Sequence, residues 1–168
     1  MKKTIKVLGI DTALRCTGVG VVVAAGSSLR GVVWGVITNP ARRPHSACLA
    51  HLFEEVRALI QREKPEAVAV EGVFFSKNVR TAVTLGQARG AVLAACALEQ
   101  VPVHEYAPRA IKQAVVGYGN AHKEQVAKMV ALLLGLAQPP DQDAADALAL
   151  AIAHLHRHRT GLPGGQPI

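Results

Sequence analysis

Four carboxylates stand where a buried strand would end or a helix begin. Asp11 closes the apolar run Lys6-Val7-Leu8-Gly9-Ile10-Asp11, and Glu71 closes Ala67-Val68-Ala69-Val70-Glu71 in the same way. Asp143 and Asp146 are three residues apart at the opening of a helical pattern, so their Cβ atoms lie about 5–6 Å from each other. Like charges at that spacing repel, by roughly 0.2–0.5 kcal/mol in an exposed helix, and Asp143 could recover as much by facing the helix dipole. A capping role for Asp143 therefore stays open. Asp146 lies past the first turn, between alanines that allow close approach, and has no such excuse. A divalent cation would remove the repulsion. Hard cations such as Mg²⁺ take oxygen donors and keep waters and substrate phosphates in their shell. Four acids suffice for two ions, the arrangement that serves in-line displacement at phosphorus.

The rest of the chain favours a polyanionic partner. Nineteen Lys plus Arg against twelve Asp plus Glu give a net charge of +7 over 168 residues, and four of the acids belong to the cluster. Charge alone is also what a solvated helix face shows, so it supports a nucleic-acid partner without establishing one. The length suits one domain with a substantial core, expected over residues 1–159. No secretory pattern opens the sequence, and no uninterrupted run of about 18 apolar residues would span a bilayer. A cytoplasmic protein with no membrane partner is expected. Cys16, Cys48 and Cys96 are odd in number and lack zinc-ligand spacing, so buried reduced thiols are expected.

The acids need a frame, and the patterning supplies one. Residues 4–11, 18–24 and 29–38 read as strands of an antiparallel meander, with a turn at Gly26-Ser27-Ser28. After Asn39-Pro40, Leu49, Leu52, Val56, Leu59 and Ile60 recur at helical spacing until Lys64-Pro65. That crossover helix leads to the Glu71 strand, which right-handed connection places parallel to a member of the meander. Pairing beside the Asp11 strand would bring both acids to one edge. Asn78 is a suitable N-cap for a helix through Leu98, where Ala82, Gly86, Gly90 and Ala94 form a stripe of small residues. Each interior glycine costs roughly 1 kcal/mol in helix propensity, implying a compensating contact, the sheet first and another helix second. Residues 101–106 read as a fifth strand, and Val126, Met129, Val130 and Leu133 mark a further helix. From Asp141, Ala144, Ala147, Leu148, Ala151, Ile152 and Leu155 define a buried helical face. The alternating His154, His156 and His158 read as surface residues rather than a metal site, and residues 160–168 as a disordered tail. The expected fold class is α/β, a mixed five-stranded sheet of three antiparallel and two parallel strands with helices on both faces.

Several motifs carry a more specific signal. Gly9-Ile10-Asp11, the segment from Glu71 to Asn78, Leu85-Gly86-Gln87-Ala88-Arg89-Gly90 and the segment from Asp143 to Ala149 occur in an order and spacing that resembles the RuvC family of Holliday-junction resolvases. The segments from Ala110 to Gly117 and from Lys123 to Val126 extend the resemblance over about residues 5–156. It implies a ribonuclease-H-like fold, a homodimer, and Mg²⁺-dependent hydrolysis of one phosphodiester in each of two opposing strands of a four-way DNA junction. By the same carry-over Asp11, Glu71, Asp143 and Asp146 are the metal ligands, for two Mg²⁺ with Mn²⁺ as a substitute. Lys112 and Lys123 serve catalysis and bind the DNA backbone, Phe74 stacks on a base at the junction centre, and Lys77, Asn78 and Arg89 contact DNA. A branch-migration helicase complex is a further implied partner.

Two positions depart from the family pattern. Thr12-Ala13 replaces the Pro-Gly that usually follows the first Asp, and Gly72 replaces a larger residue after the Glu. They motivate one alternative, a junction-binding module that does not cut. A second alternative starts from the likeness of Gly9-Ile10-Asp11-Thr12 to the phosphate loop of actin-like sugar kinases, which need a further domain that 168 residues do not provide.

Overall fold

The computed structural model describes residues 4–72, 77–161 and 165–168. Three strands, β1 (Thr4–Asp11), β2 (Cys16–Ala25) and β3 (Ser28–Thr38), form the meander, and helix α1 (His45–Glu63) crosses to β4 (Ala67–Glu71). Helix α2 (Val79–Leu98) leads to β5 (Val103–Tyr106), followed by α3 (Pro108–Val116), α4 (Lys123–Leu134), α5 (Gln142–Thr160) and β6 (Gln166–Pro167). The strand order is β3-β2-β1-β4-β5-β6. β1 and β4 are parallel with Ile10 opposite Val70, so Asp11 and Glu71 leave adjacent strands at the same edge, as the crossover argument requires.

The mixed sheet has helices on both faces. Leu8, Ile10, Val68 and Val70 pack with Leu52 and Val56 of α1 and Val92 of α2, while Val7, Val22 and Ala69 pack against α3, α4 and α5. The alternation along β1 and β4 is thus a strand buried on two sides by different helices. α1 ends where Lys64 turns left-handed, at φ 50°, ahead of Pro65. α3 is an addition to the expected elements, with Pro108 at its start and Gly117 at φ 98° as ordinary start and stop signals.

Five expectations are corrected. The sheet has six strands rather than five, because the free edge of β5 pairs with Gln166 and Pro167 from the stretch expected to be disordered. Ile168 N–H also donates to the Val103 carbonyl, at 3.1 Å. The stripe Ala82, Gly86, Gly90 and Ala94 is exposed, and among the described residues outside the helix itself nothing lies within 4 Å of a Cβ built at Gly86 or Gly90. Ala88, Arg89, Val92, Ala95 and Cys96 are the residues α2 buries instead. Cys48 and Cys96 are buried but Cys16 is exposed, since it opens β2 at the sheet edge.

His154 is buried, not a surface residue, because α5 runs through the middle of the domain and is enclosed on that side too. Its Nδ1 lies 2.8 Å from the Tyr106 hydroxyl, and its ring is flanked by His104 and His158. Burial, helped by those two histidines, pushes its pKa down to about 4 from 6.5. The unfolded chain therefore binds this proton more readily than the native one. The stability His154 contributes is present above pH 6.5 and is lost as pH falls towards about 4. Urea titrations at pH 7.5 and 5 are expected to show His154→Asn losing about 1–2 kcal/mol less than the parent chain on acidification. Equal losses would show that the imidazole is hydrated or protonated in place.

Candidate active site

Backbone proximity sets the cleft. α5 lies so close to β1 and β2 that a Cβ at Gly9 would overlap the Ala147 carbonyl, and one at Gly18 the Asp143 carbonyl. Glycines on the two strands bring the first turns of α5 down onto the edge where β1 and β4 end. The resulting cleft, about 280 Å³, is lined by Asp11, Glu71 and Asp146, by Lys112 of α3 and Lys123 of α4, and by an apolar floor that includes Ile111 and Val126. Asp143 lies on its flank, where the Cys16 thiol donates to Oδ2 at 3.0 Å. Asp146 accepts a hydrogen bond from Gln142 Nε2 at 2.9 Å and has Lys123 Nζ at 3.8 Å.

The electrostatics are those of crowded, partly desolvated acids. Asp11 is pushed up to about 7, first by burial and then by Asp146, Glu71 and Asp143, with Lys123 opposing. Glu71 is also raised, by burial and Asp146, and both Lys123 and Lys112 pull it back. The two lysines are thus electrically part of the site. A cluster that resists its own ionisation is one a cation would stabilise.

The donor set fits a hard divalent ion. All four acids offer oxygen. Among the described residues, however, no three His, Cys, Asp or Glu side chains converge closely enough to chelate one ion directly. That spacing agrees with Mg²⁺, which binds through one or two carboxylates and completes its shell with water and phosphate oxygens. The Thr12 hydroxyl supports the fit, being buried and without a hydrogen-bond partner among the described residues. It lines a side cavity of about 40 Å³ with Asp11, Glu71, Gly72, Leu85 and Arg89, room enough for a water of hydration.

Of the remaining expected DNA contacts, Lys77 and Asn78 are exposed, and Asn78 Oδ1 also caps α2 by accepting from Thr81 N–H at 3.1 Å. Phe74 lies outside the described residues. Arg89 does not match the expected DNA contact: it is buried, donates to the Glu71 carbonyl at 2.6 Å and pairs with Glu105. Glu105, Cys16, Thr12 and Gln142 were missed, since each acquires its place only by packing against an element distant in sequence or by flanking an acid.

A family model described as crossover junction endodeoxyribonuclease RuvC matches residues 7–154. The chain belongs to the RuvC family. The crossover junction endodeoxyribonuclease RuvC of Chloroflexus aurantiacus is 50% identical over 145 residues, which are 86% of this chain and 88% of that protein. Thermus thermophilus RuvC superposes with a TM-score of 0.89 at 37% identity, covering 98% of this chain and 100% of that one. T. thermophilus RuvC in complex with a Holliday junction substrate superposes with a TM-score of 0.87 at 36% identity, covering 98% and 99%. The mixed sheet with helices on both faces is the RuvC fold.

Proposed function

We propose that this chain resolves four-way DNA junctions as a homodimer, hydrolysing one phosphodiester in each of two opposing strands with Mg²⁺ held by Asp11, Glu71, Asp143 and Asp146. The observation that carries the reading is the convergence of acids from β1, β4 and α5 on one cleft whose other charged walls are Lys112 and Lys123. When bound, the metal supplies an acidified water and stabilises charge on the departing oxygen. Lys112 and Lys123 hold the scissile phosphate against the acids and offset the charge that develops on it. Apolar Ile111, Val126 and Leu150 limit water at the back of the cleft, which strengthens each of those interactions. The basic surface retains the junction arms through phosphate contacts. Two ions per site, Mn²⁺ as a substitute, a cytoplasmic location and a branch-migration helicase complex as partner belong to the same proposal.

A second copy is the occupant that suits the outer face of α2. Val79, Val83 and Leu98 are 76%, 55% and 59% exposed there, beside the open Gly86 and Gly90. A Cβ at Gly90 would meet nothing within 4 Å among the described residues outside its own helix, so Gly90→Leu should leave the monomer folded with unchanged or better helix propensity. Sedimentation is expected to show the parent at twice the 17.7 kDa chain mass and Gly90→Leu shifted towards the monomer. An unaltered dimer would place the interface elsewhere.

The deciding assay uses a synthetic, strand-labelled four-way junction with Mg²⁺ beside a linear duplex. Paired nicks in opposing strands, with the duplex intact, are the expected result. Junction binding without nicks would instead favour the non-cleaving module, and no binding would overturn the proposal.

A further inference from the structure

The peptide between Glu71 and Gly72 is held at both of its polar atoms. Arg89 Nη1 donates to the Glu71 carbonyl at 2.6 Å, and the Gly72 N–H donates to the Tyr106 carbonyl at 2.8 Å. The second terminal nitrogen, Nη2, pairs with the Glu105 carboxylate, which sits on β5 opposite Val70. Gly72 lies over that carboxylate, and a Cβ there would come within 3.3 Å of Glu105 Cγ. Only 9% of Arg89 is exposed.

Burying a guanidinium is unfavourable unless its donors are matched, and an apolar residue of similar length would fill the space more cheaply if packing alone mattered. What an apolar residue lacks is the planar fork that fixes two acceptors at a set angle. Here one acceptor is the backbone of a proposed metal ligand. The other is anchored in the neighbouring strand.

We propose that Arg89 and Glu105 are positioning residues for Glu71, a clamp that orients the end of β4 and so aims the carboxylate into the cleft it shares with Asp11. The inference rests on the reading of Glu71 as a metal ligand. Arg89 is directed at the Glu71 backbone and at Glu105, so it acts through Glu71 and is not itself catalytic.

The test compares Arg89→Met, Arg89→Lys and Glu105→Gln with the parent. Mn²⁺ binding is read on the DNA-free protein by electron paramagnetic resonance, junction affinity in EDTA, and nicking as a function of Mg²⁺. Both Arg89 variants are expected to lose about 10–100-fold in Mn²⁺ affinity and nicking rate, as when a group orienting a ligand is removed, with junction affinity unchanged. Lysine cannot bridge both acceptors and should not rescue. Glu105→Gln keeps an acceptor for Nη2 and is expected to stay within about 3-fold of the parent. Should Arg89→Met unfold because Glu105 is left unpaired, the double variant Arg89→Met with Glu105→Met removes both charges and must still show the Mn²⁺ deficit. Parent-level Mn²⁺ affinity in the Arg89 variants would overturn the proposal. Weakened junction binding with intact Mn²⁺ binding would overturn it in favour of a direct DNA contact. If the parent binds Mn²⁺ but does not nick, a deficit in the variants still upholds the clamp while the cleavage reading fails. A parent that binds no Mn²⁺ overturns both.

Discussion

Asp11→Asn is expected to reduce Mg²⁺-dependent nicking of a four-way junction by about 10²–10⁴-fold while leaving junction affinity equal to or above that of the parent. The substitution keeps the shape of the side chain and removes one anionic oxygen donor from the centre of the acid cluster. A metal ion held there would supply several kcal/mol of charge stabilisation, at about 1.36 kcal/mol per tenfold in rate, and part of it is lost with the donor. Binding should hold or improve because a negative charge facing DNA phosphates disappears. The same variant carries a fold control. Asp11 has a native pKa of about 7 against an ordinary 3.8, so between those values the native state binds the extra proton. Without metal, stability therefore falls as pH rises from about 4 to about 7, by a few kcal/mol, and the ionised Asp11 remains destabilising above that window. Asp11→Asn should flatten this slope and melt higher than the parent at pH 8 in EDTA. Proton and cation compete for the site, so parent nicking at low Mg²⁺ should rise with pH through about 7, and more Mg²⁺ should move that rise to lower pH. A variant that neither binds the junction nor melts above the parent would make Asp11 a structural residue.

Gly9→Ala is expected to destabilise the domain by at least about 3 kcal/mol, lowering the melting temperature by about 6–12 °C, and to impair nicking in whatever protein remains folded. The reason is geometric. A Cβ on Gly9 would overlap the Ala147 carbonyl, and Ala151 N lies 3.0 Å from the same position, so the obstruction is helix backbone and cannot rotate away. α5 would have to lift from β1, carrying Asp146 away from Asp11 and exposing Leu148 and Ile152, which are fully buried. Gly18→Ala tests the neighbouring contact, where the obstruction is the Asp143 carbonyl itself. Unchanged thermal denaturation and nicking in both variants would mean that α5 does not approach the sheet this closely.

Much of this architecture was legible in the residue order. Asp11 and Glu71 end strands whose apolar runs demand burial, and the crossover helix between them dictates parallel pairing. The apolar face of α5 is an unbroken helical series, and Asn78 stands where a cap is needed. Each of these is a local pattern, readable because strand and helix periods differ and because caps and turns favour particular side chains. The glycine stripe on α2 shows the limit of such reading. It signals close approach without naming the partner, and the sheet was the wrong choice because Ala88, Val92 and Ala95 on another side of the helix fill that contact.

What the sequence by itself determined, then, is the three-strand meander, the strands of Glu71 and Tyr106 and the four longer helices, that Asp11 and Glu71 share an edge, and by family resemblance which acids and lysines belong together. The tertiary structure alone decided that Arg89 is buried and grips the Glu71 backbone, that Cys16 stands exposed against Asp143, that His154 is enclosed, and that β5 gains a sixth strand as its neighbour. These depend on contacts between segments far apart in the chain. Periodicity records how much of a residue's surroundings must be apolar, but the identity of the neighbour that meets a buried polar group is set by how helices and strands pack against one another.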